Sequence, residues 1–137
     1  MFIEALKNYF SACPVVPDGA VRNSFLSENA PDYAVFSEGK EEVIKKYASG
    51  DGLYQFVFSF RARLFYSKKD TETRENSIFF FHLSNWVNDQ RNIGNMPAVE
   101  GVEIQRIEPL DSGKIKNASV SDCVYEMKFR VVYYKRR

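Results

Sequence analysis

The sequence is poor in the residues that carry most catalytic and metal chemistry. It has one histidine, His82, and two cysteines, Cys13 and Cys123, whose spacing matches no metal-binding motif. A general base needs a nucleophile and an orienting partner, and no serine, cysteine or aspartate motif marks His82 as a base. No stretch approaches the roughly 18 apolar residues of a membrane span. We therefore expect no catalytic site, no metal, no cofactor and no membrane contact.

An excess of one charge is also missing, since 19 Lys and Arg stand against 18 Asp and Glu. A free-standing nucleic-acid-binding domain usually has a strong basic excess, and a disordered chain has few aromatic residues. Neither description fits, because 12 Phe and 8 Tyr among 137 residues supply a substantial core. The length predicts a single domain, residues 1–137, in which residues 135–137 form a basic C-terminal tail.

The first residues lack the basic segment and apolar run of a secretory signal. Two cysteines in a chain without an export signal are more often buried thiols than a disulfide. We therefore expect a protein made in a reducing cytoplasm.

Hydrophobic periodicity predicts an α+β fold with the element order α-β-β-β-α-β-β. A short amphipathic helix at the start is followed by a strand that alternates apolar and polar side chains over residues 53–66, as in a sheet buried on one side only. The other predicted strands are residues 33–36, 42–48, 102–107 and 123–134, with residues 109–119 as a loop and residues 21–27 ambiguous. We expect one twisted, mainly antiparallel sheet with both main helices packed on one face.

The second predicted helix follows a charged connector and has an apolar stripe of Phe79, Leu83, Trp86, Gln90 and Ile93. Phe81 does not fit the stripe and projects toward water, on the side that carries Asn85 and Asn88. Large exposed apolar groups often mark protein–protein contact. The alternative is that residues 21–36 cover the surplus aromatic side chains within the monomer.

Basic residues form three groups. The first group lies on the polar face of the predicted sheet and consists of Arg61, Arg63, Lys128 and Arg130. The second lies on the connector and consists of Lys68, Lys69 and Arg74, and the third is the C-terminal tail. The first group is either a modest surface for an anionic partner or a solvated face interleaved with Glu126. A ring would repeat each weak patch around its axis, which favours the first interpretation.

Over most of its length the chain resembles a known family. The resemblance is carried by Cys13-Pro14 after the first helix, Tyr33, Lys45-Lys46-Tyr47 before a glycine turn, the aromatic strand of residues 54–60, Trp86-Val87-Asn88-Asp89-Gln90, Asn95-Met96-Pro97, and Tyr125-x-Met127-x-Phe129 with Tyr133-Tyr134. In these features it is similar to the minor capsid or tail terminator proteins of long-tailed, siphovirus-type bacteriophages and prophages of Gram-positive bacteria. It departs from them at Met96, where leucine is more usual, and in its long charged connector.

The resemblance implies a subunit akin to the lambda-type tail terminator that assembles with itself as a hexameric ring. Such a ring lies at the head–tail junction of the virion and is assembled in the bacterial host cytoplasm. It caps the major tail tube protein, meets the head–tail connector or stopper protein, lets DNA pass without specific recognition and catalyses no reaction. The assembly contacts that we expect are Phe81, Asn85 and Asn88 on the helix, Arg61 and Arg63 on the sheet, and Lys68, Lys69 and Arg74 on the connector.

Two other function classes stay open. One is a small-ligand-binding or enzymatic α+β domain with a helix-over-sheet pocket around Tyr54, Phe58, His82 and Trp86. The other is a nucleic-acid-binding module that uses Arg61, Arg63, Lys128 and Arg130, for which binding should weaken steeply with salt.

Overall fold

The structure is a computed structural model that describes residues 2–16, 21–28, 30–65, 70–118 and 122–136. Within these residues the fold class is α+β, as predicted, and the structure has two helices and one mostly antiparallel open sheet of seven strands. In chain order the elements are α1 (Phe2–Ser11), β1 (Val21–Asn23), β2 (Asp32–Ser37), β3 (Glu42–Lys46), β4 (Gly52–Phe65), α2 (Asp70–Asn92), β5 (Val102–Pro109), β6 (Lys114–Ala118) and β7 (Asp122–Lys135). Neither described helix is long and apolar enough to cross a membrane.

Two 14-residue strands, β4 and β7, form the centre of the sheet and pair over their whole lengths. On its outer edge, β4 pairs first with β3 and farther along with β2, while β7 pairs first with β6 and farther along with β5. β1 extends the sheet by pairing with β2 in parallel. One end of the sheet therefore has the strand order β3-β4-β7-β5, and the other end has the order β1-β2-β4-β7-β6.

The core lies between the helices and one face of the sheet. Phe10 of α1 is fully buried, and its ring centroid lies 5.8 Å from that of Phe58, 5.1 Å from that of Phe60 and 5.5 Å from that of Phe129. Aromatic contacts of this kind stabilise a core beyond the area that they bury. Because side chains alternate along a strand, the residues between these on β4 and β7 point to the opposite face, which the helices leave uncovered.

The buried side of α2 matches the predicted stripe only in part. Leu83 and Val87 are fully buried, and Phe80 is nearly so. Ile93 was predicted on the stripe, but it is exposed because α2 ends before it and the chain turns away at Gly94.

Two strands were not predicted. β1 lies within residues 21–27, which the sequence left ambiguous, and β6 lies within residues 109–119, so the loop prediction was wrong there. The described order is therefore α-β-β-β-β-α-β-β-β. Both strands lie at an edge of the sheet, and at three and five residues they are too short for alternation to identify them.

Candidate functional site

The sheet face opposite the helices, the helix-free face, carries a layer of ion pairs. Arg61 lies at its centre, with Nη2 2.9 Å from Glu38 Oε1 and Nε 3.1 Å from Glu126 Oε2. Beside it, Nη1 of Arg63 lies 2.9 Å from Asp122 Oδ1. Both arginines that the sequence singled out on the sheet therefore already have carboxylate partners within the subunit.

The same arrangement continues toward the β5 edge. Arg130 donates from Nε to the carboxylate of Glu108, and Nε of Arg106 lies 3.5 Å from Glu108 Oε1. On the other side, Lys116 Nζ lies 3.3 Å from Glu126 Oε2. Each of these cations therefore lies beside a carboxylate, and Glu126 and Glu108 are each shared by more than one cation.

Because the carboxylates of this face are largely buried, they need ion-pair partners to be stable in the folded protein. Glu126 is only 3% exposed, and a carboxylate in such a position is stable only when it is paired and hydrogen-bonded. For Glu38, desolvation by burial raises the pKa, but hydrogen bonds from Ser59 and Arg61 and the charges of Arg61 and Lys128 outweigh it and hold the pKa below its usual value. Lys128 therefore belongs to the same charge layer.

A second surface is formed by the outer side of α2. Phe81 is 63% exposed there, as the helical spacing predicts, and Asn85 and Asn88 are exposed beside it. The Phe81 ring packs on the His82 ring in an edge-on contact, with centroids 5.7 Å apart. A phenyl ring held in water next to small polar side chains is available for contact with another protein.

An open groove of about 530 Å³ runs between α2 and the turn from β5 to β6, and we call it the Phe81 groove. The buried side chains of Phe80, Tyr125 and Met127 form its floor, and the exposed side chains of Phe81 and Ile115 form its two rims. Sequence reasoning missed this groove because it needs β6. The alternation Lys114-Ile115-Lys116 was the only sequence signal for it.

The predicted contact residues fall on two surfaces rather than one. Because α2 packs on the opposite face of the sheet from Arg61 and Arg63, the helix residues Phe81, Asn85 and Asn88 lie on the other side of the molecule. Lys68 and Lys69 lie outside the described residues, as does the side chain of Arg74.

The residues of the alternative pocket do not come together. His82 is exposed on α2, whereas Phe58 is fully buried in the core. The Trp86 ring packs on Tyr9 at a centroid distance of 4.8 Å, and the Tyr54 ring stacks on another tyrosine of the sheet. Among the side chains that the structure describes, no three from His, Cys, Asp and Glu are grouped so as to hold a metal ion.

Comparison with known proteins adds no family to this picture. No protein-family model matches the chain, and no curated protein matches its sequence. The helix-free face and the outer side of α2 with its groove are the structural features from which a function can be inferred.

Proposed function

We propose that this chain is a phage structural protein, a tail terminator that forms a ring at the head-proximal end of the tail tube. The observation that supports this most is that exposed apolar side chains lie on several separate parts of one small subunit, namely Phe25, Val43, Ile44, Phe65, Phe81 and Ile115. A ring is closed by heterologous contacts, in which one patch meets a different patch on the neighbour. Separate apolar patches meet that requirement.

In this proposal the ring, a hexamer, caps the major tail tube protein, stops its polymerisation and supports joining to the head connector. DNA passes through the bore, so the lining should not bind phosphate tightly. Affinity for DNA rises with each phosphate that a free Lys or Arg neutralises. The helix-free face suits such a lining because Arg61, Arg63 and Arg130 already pair with carboxylates.

A second candidate function is the binding of a small apolar ligand in the Phe81 groove. The groove volume of about 530 Å³ falls in the range of ligand sites, roughly 300–1,000 Å³. This function predicts a monomer whose Tm rises with an apolar ligand, whereas a terminator assembles on the end of the tail tube without one.

Electron microscopy of tails assembled without this chain tests the terminator proposal. We expect over-long tubes, because nothing stops polymerisation, and a return to normal length when the chain is supplied. Headless tails of normal length would indicate a joining role instead. Tails of normal length that carry heads would contradict the proposal altogether.

The variant Phe81→Asp tests the surface on α2 in the same assay. Because Phe81 is exposed, we expect the variant to fold with a stability within about 0.5 kcal/mol of the wild type, yet to leave tails over-long. Ile93→Asp is the matched control, since Ile93 is exposed on the chain just after α2 and lies outside the groove. Unfolding of Phe81→Asp would place Phe81 in the core, and normal tails would place the contact elsewhere.

A further inference from the structure

At the end of the sheet with the order β3-β4-β7-β5, both outer strands have an open edge within the described part of the chain. An open edge presents backbone N–H and C=O groups that can pair with another strand. β3 is exposed along its whole length, including Val43 and Ile44. On β5, a tight turn uses the amide of Val102, which donates to the Val99 carbonyl, and leaves residues 103–108 open.

The two open edges run in opposite directions. β3, β4, β7 and β5 pair antiparallel in succession, so β3 and β5 are antiparallel to each other. A rotation about an axis along the strands preserves strand direction. In a ring, β5 of one copy would therefore meet β3 of the next copy in the antiparallel sense, which is the more stable way for strands to pair.

The register of the sheet brings complementary charges to the two edges. Across the four strands, one row consists of Lys45, Leu53, Tyr134 and Glu103, and another consists of Glu42, Gln55, Val132 and Arg106. If the sheet continues in register into the next copy, Lys45 faces Glu103 and Glu42 faces Arg106. Opposite charges placed directly across a strand pair are stabilising.

The first of these pairs is the more informative. Lys45 and Glu103 are both exposed, and neither forms an ion pair with any other described residue of its own subunit. Lys45 instead holds its Nζ 5.3 Å from the ring centroid of Tyr47. Two uncompensated charges of opposite sign thus stand in the same row at the two open edges.

We propose that the β3 edge of one copy pairs antiparallel with the β5 edge of the next copy, so that the sheets of neighbouring subunits join. This inference rests on the proposed ring and assigns the contact that closes it. It also turns all helix-free faces to the same side of the joined sheet.

A cysteine at each edge tests this pairing. Within one copy, positions 45 and 103 are separated by three strand spacings, about 14 Å, whereas a disulfide bridges Cα atoms less than about 7 Å apart. A disulfide between Lys45→Cys and Glu103→Cys can therefore only join two copies, and the native Cys13 and Cys123 are buried. Under mild oxidation at high protein concentration, we expect the double variant to give a ladder of covalent oligomers on a denaturing gel.

The single variants are the controls, and each should remain monomeric on the gel. A strong dimer band from Lys45→Cys alone would indicate that two β3 strands pair with each other, and this would overturn the proposal. Monomer alone from the double variant would overturn it as well.

Charge reversal gives an independent readout when it is combined with bismaleimide cross-linking of Val43→Cys and Gln105→Cys, two positions that lie between the two charged rows. In that background, Lys45→Glu or Glu103→Lys should each reduce oligomer yield about two- to five-fold, and the two together should restore it. Lys46→Glu is the matched control, because its row ends at the uncharged Val102. The pairing would be contradicted if the two reversals together failed to restore the oligomer yield, or if Lys46→Glu reduced the yield equally.

The outcomes separate the pairing from the tail function. If tails made without the chain are over-long but the double cysteine variant gives no ladder of oligomers, the edge pairing is overturned and the terminator function stands. If the double cysteine variant gives a ladder but tails made without the chain are normal, the edge pairing stands and the terminator function is overturned.

Discussion

At the scale of single residues, Tyr9 stands out because its hydroxyl is the buried side-chain polar atom without a hydrogen-bond partner in the described structure. Its ring packs between Phe10, with centroids 5.1 Å apart, and Trp86, at 4.8 Å. Desolvation by burial raises the pKa of Tyr9, and the nearby thiol of Cys13 raises it further. A buried hydroxyl without a partner costs about 1–3 kcal/mol.

We therefore expect Tyr9→Phe to raise the free energy of unfolding by about 1 kcal/mol, measured by urea denaturation. Tyr125→Phe is the matched control, because the Tyr125 hydroxyl accepts a 3.0 Å hydrogen bond from Asn76 Nδ2. The free energy of unfolding of Tyr125→Phe should fall by about 1 kcal/mol. A destabilised Tyr9→Phe would show that the hydroxyl does have a partner in solution.

At the scale of elements, the turn between β5 and β6 depends on Gly113. Its φ is +89°, a left-handed conformation that side chains rarely adopt, and a Cβ there would lie 3.1 Å from the ring of Phe80. The turn is therefore pressed against the floor of the Phe81 groove.

We expect Gly113→Ala to lower the free energy of unfolding by about 2 kcal/mol, from backbone strain and from contact with Phe80. Gly94→Ala is the control, because Gly94 has a φ of +75° but a Cβ added there would meet nothing within 4 Å. The free energy of unfolding of Gly94→Ala should fall by only about 1 kcal/mol, which is the cost of the backbone strain alone. Equal losses in calorimetry would mean that Phe80 shifts to make room.

The long elements could be predicted from the sequence, and the short ones could not. β4 and β7 have 14 residues each, and the apolar side chains that recur at every second position identify both the strand and its core-facing side. β6 has five residues and a register shift between Ile115 and Asn117, so its alternation is broken. The exposure of Phe81 follows from helical spacing, whereas the groove beside it depends on that broken strand. Likewise, Arg61 meets carboxylates 23 and 65 residues away, and such pairs require the folded sheet.

At the scale of the whole molecule, the ion pairs of the helix-free face make stability depend on pH. Burial raises the pKa of Glu108, but the hydrogen bond from Arg130 and the charges of Arg130 and Arg106 outweigh it and hold the pKa below its usual value. Glu38 is shifted in the same direction. Because their pKa values are lower in the folded than in the unfolded state, these carboxylates stabilise the fold above the unfolded value of about 4.3.

We therefore expect the free energy of unfolding in urea to fall as pH is lowered from about 5 through the depressed folded pKa values. Glu38→Gln should have a lower free energy of unfolding than the wild type at neutral pH. This free energy should fall less on acidification, because the variant has one fewer carboxylate to protonate. Similar losses in the variant and the wild type would show that Glu38 does not contribute to the pH dependence.

The central position of β7 has a consequence for biosynthesis. It is the last strand in chain order in the described structure, yet β4, β5 and β6 all pair with it. While a ribosome is still making β7, the strands β1 to β4 can pair among themselves, but one edge of β4 is unsatisfied and β5 and β6 have no strand to pair with. The subunit can therefore complete its sheet only after β7 has been translated, and until then the unpaired strands are exposed to aggregation or to chaperones.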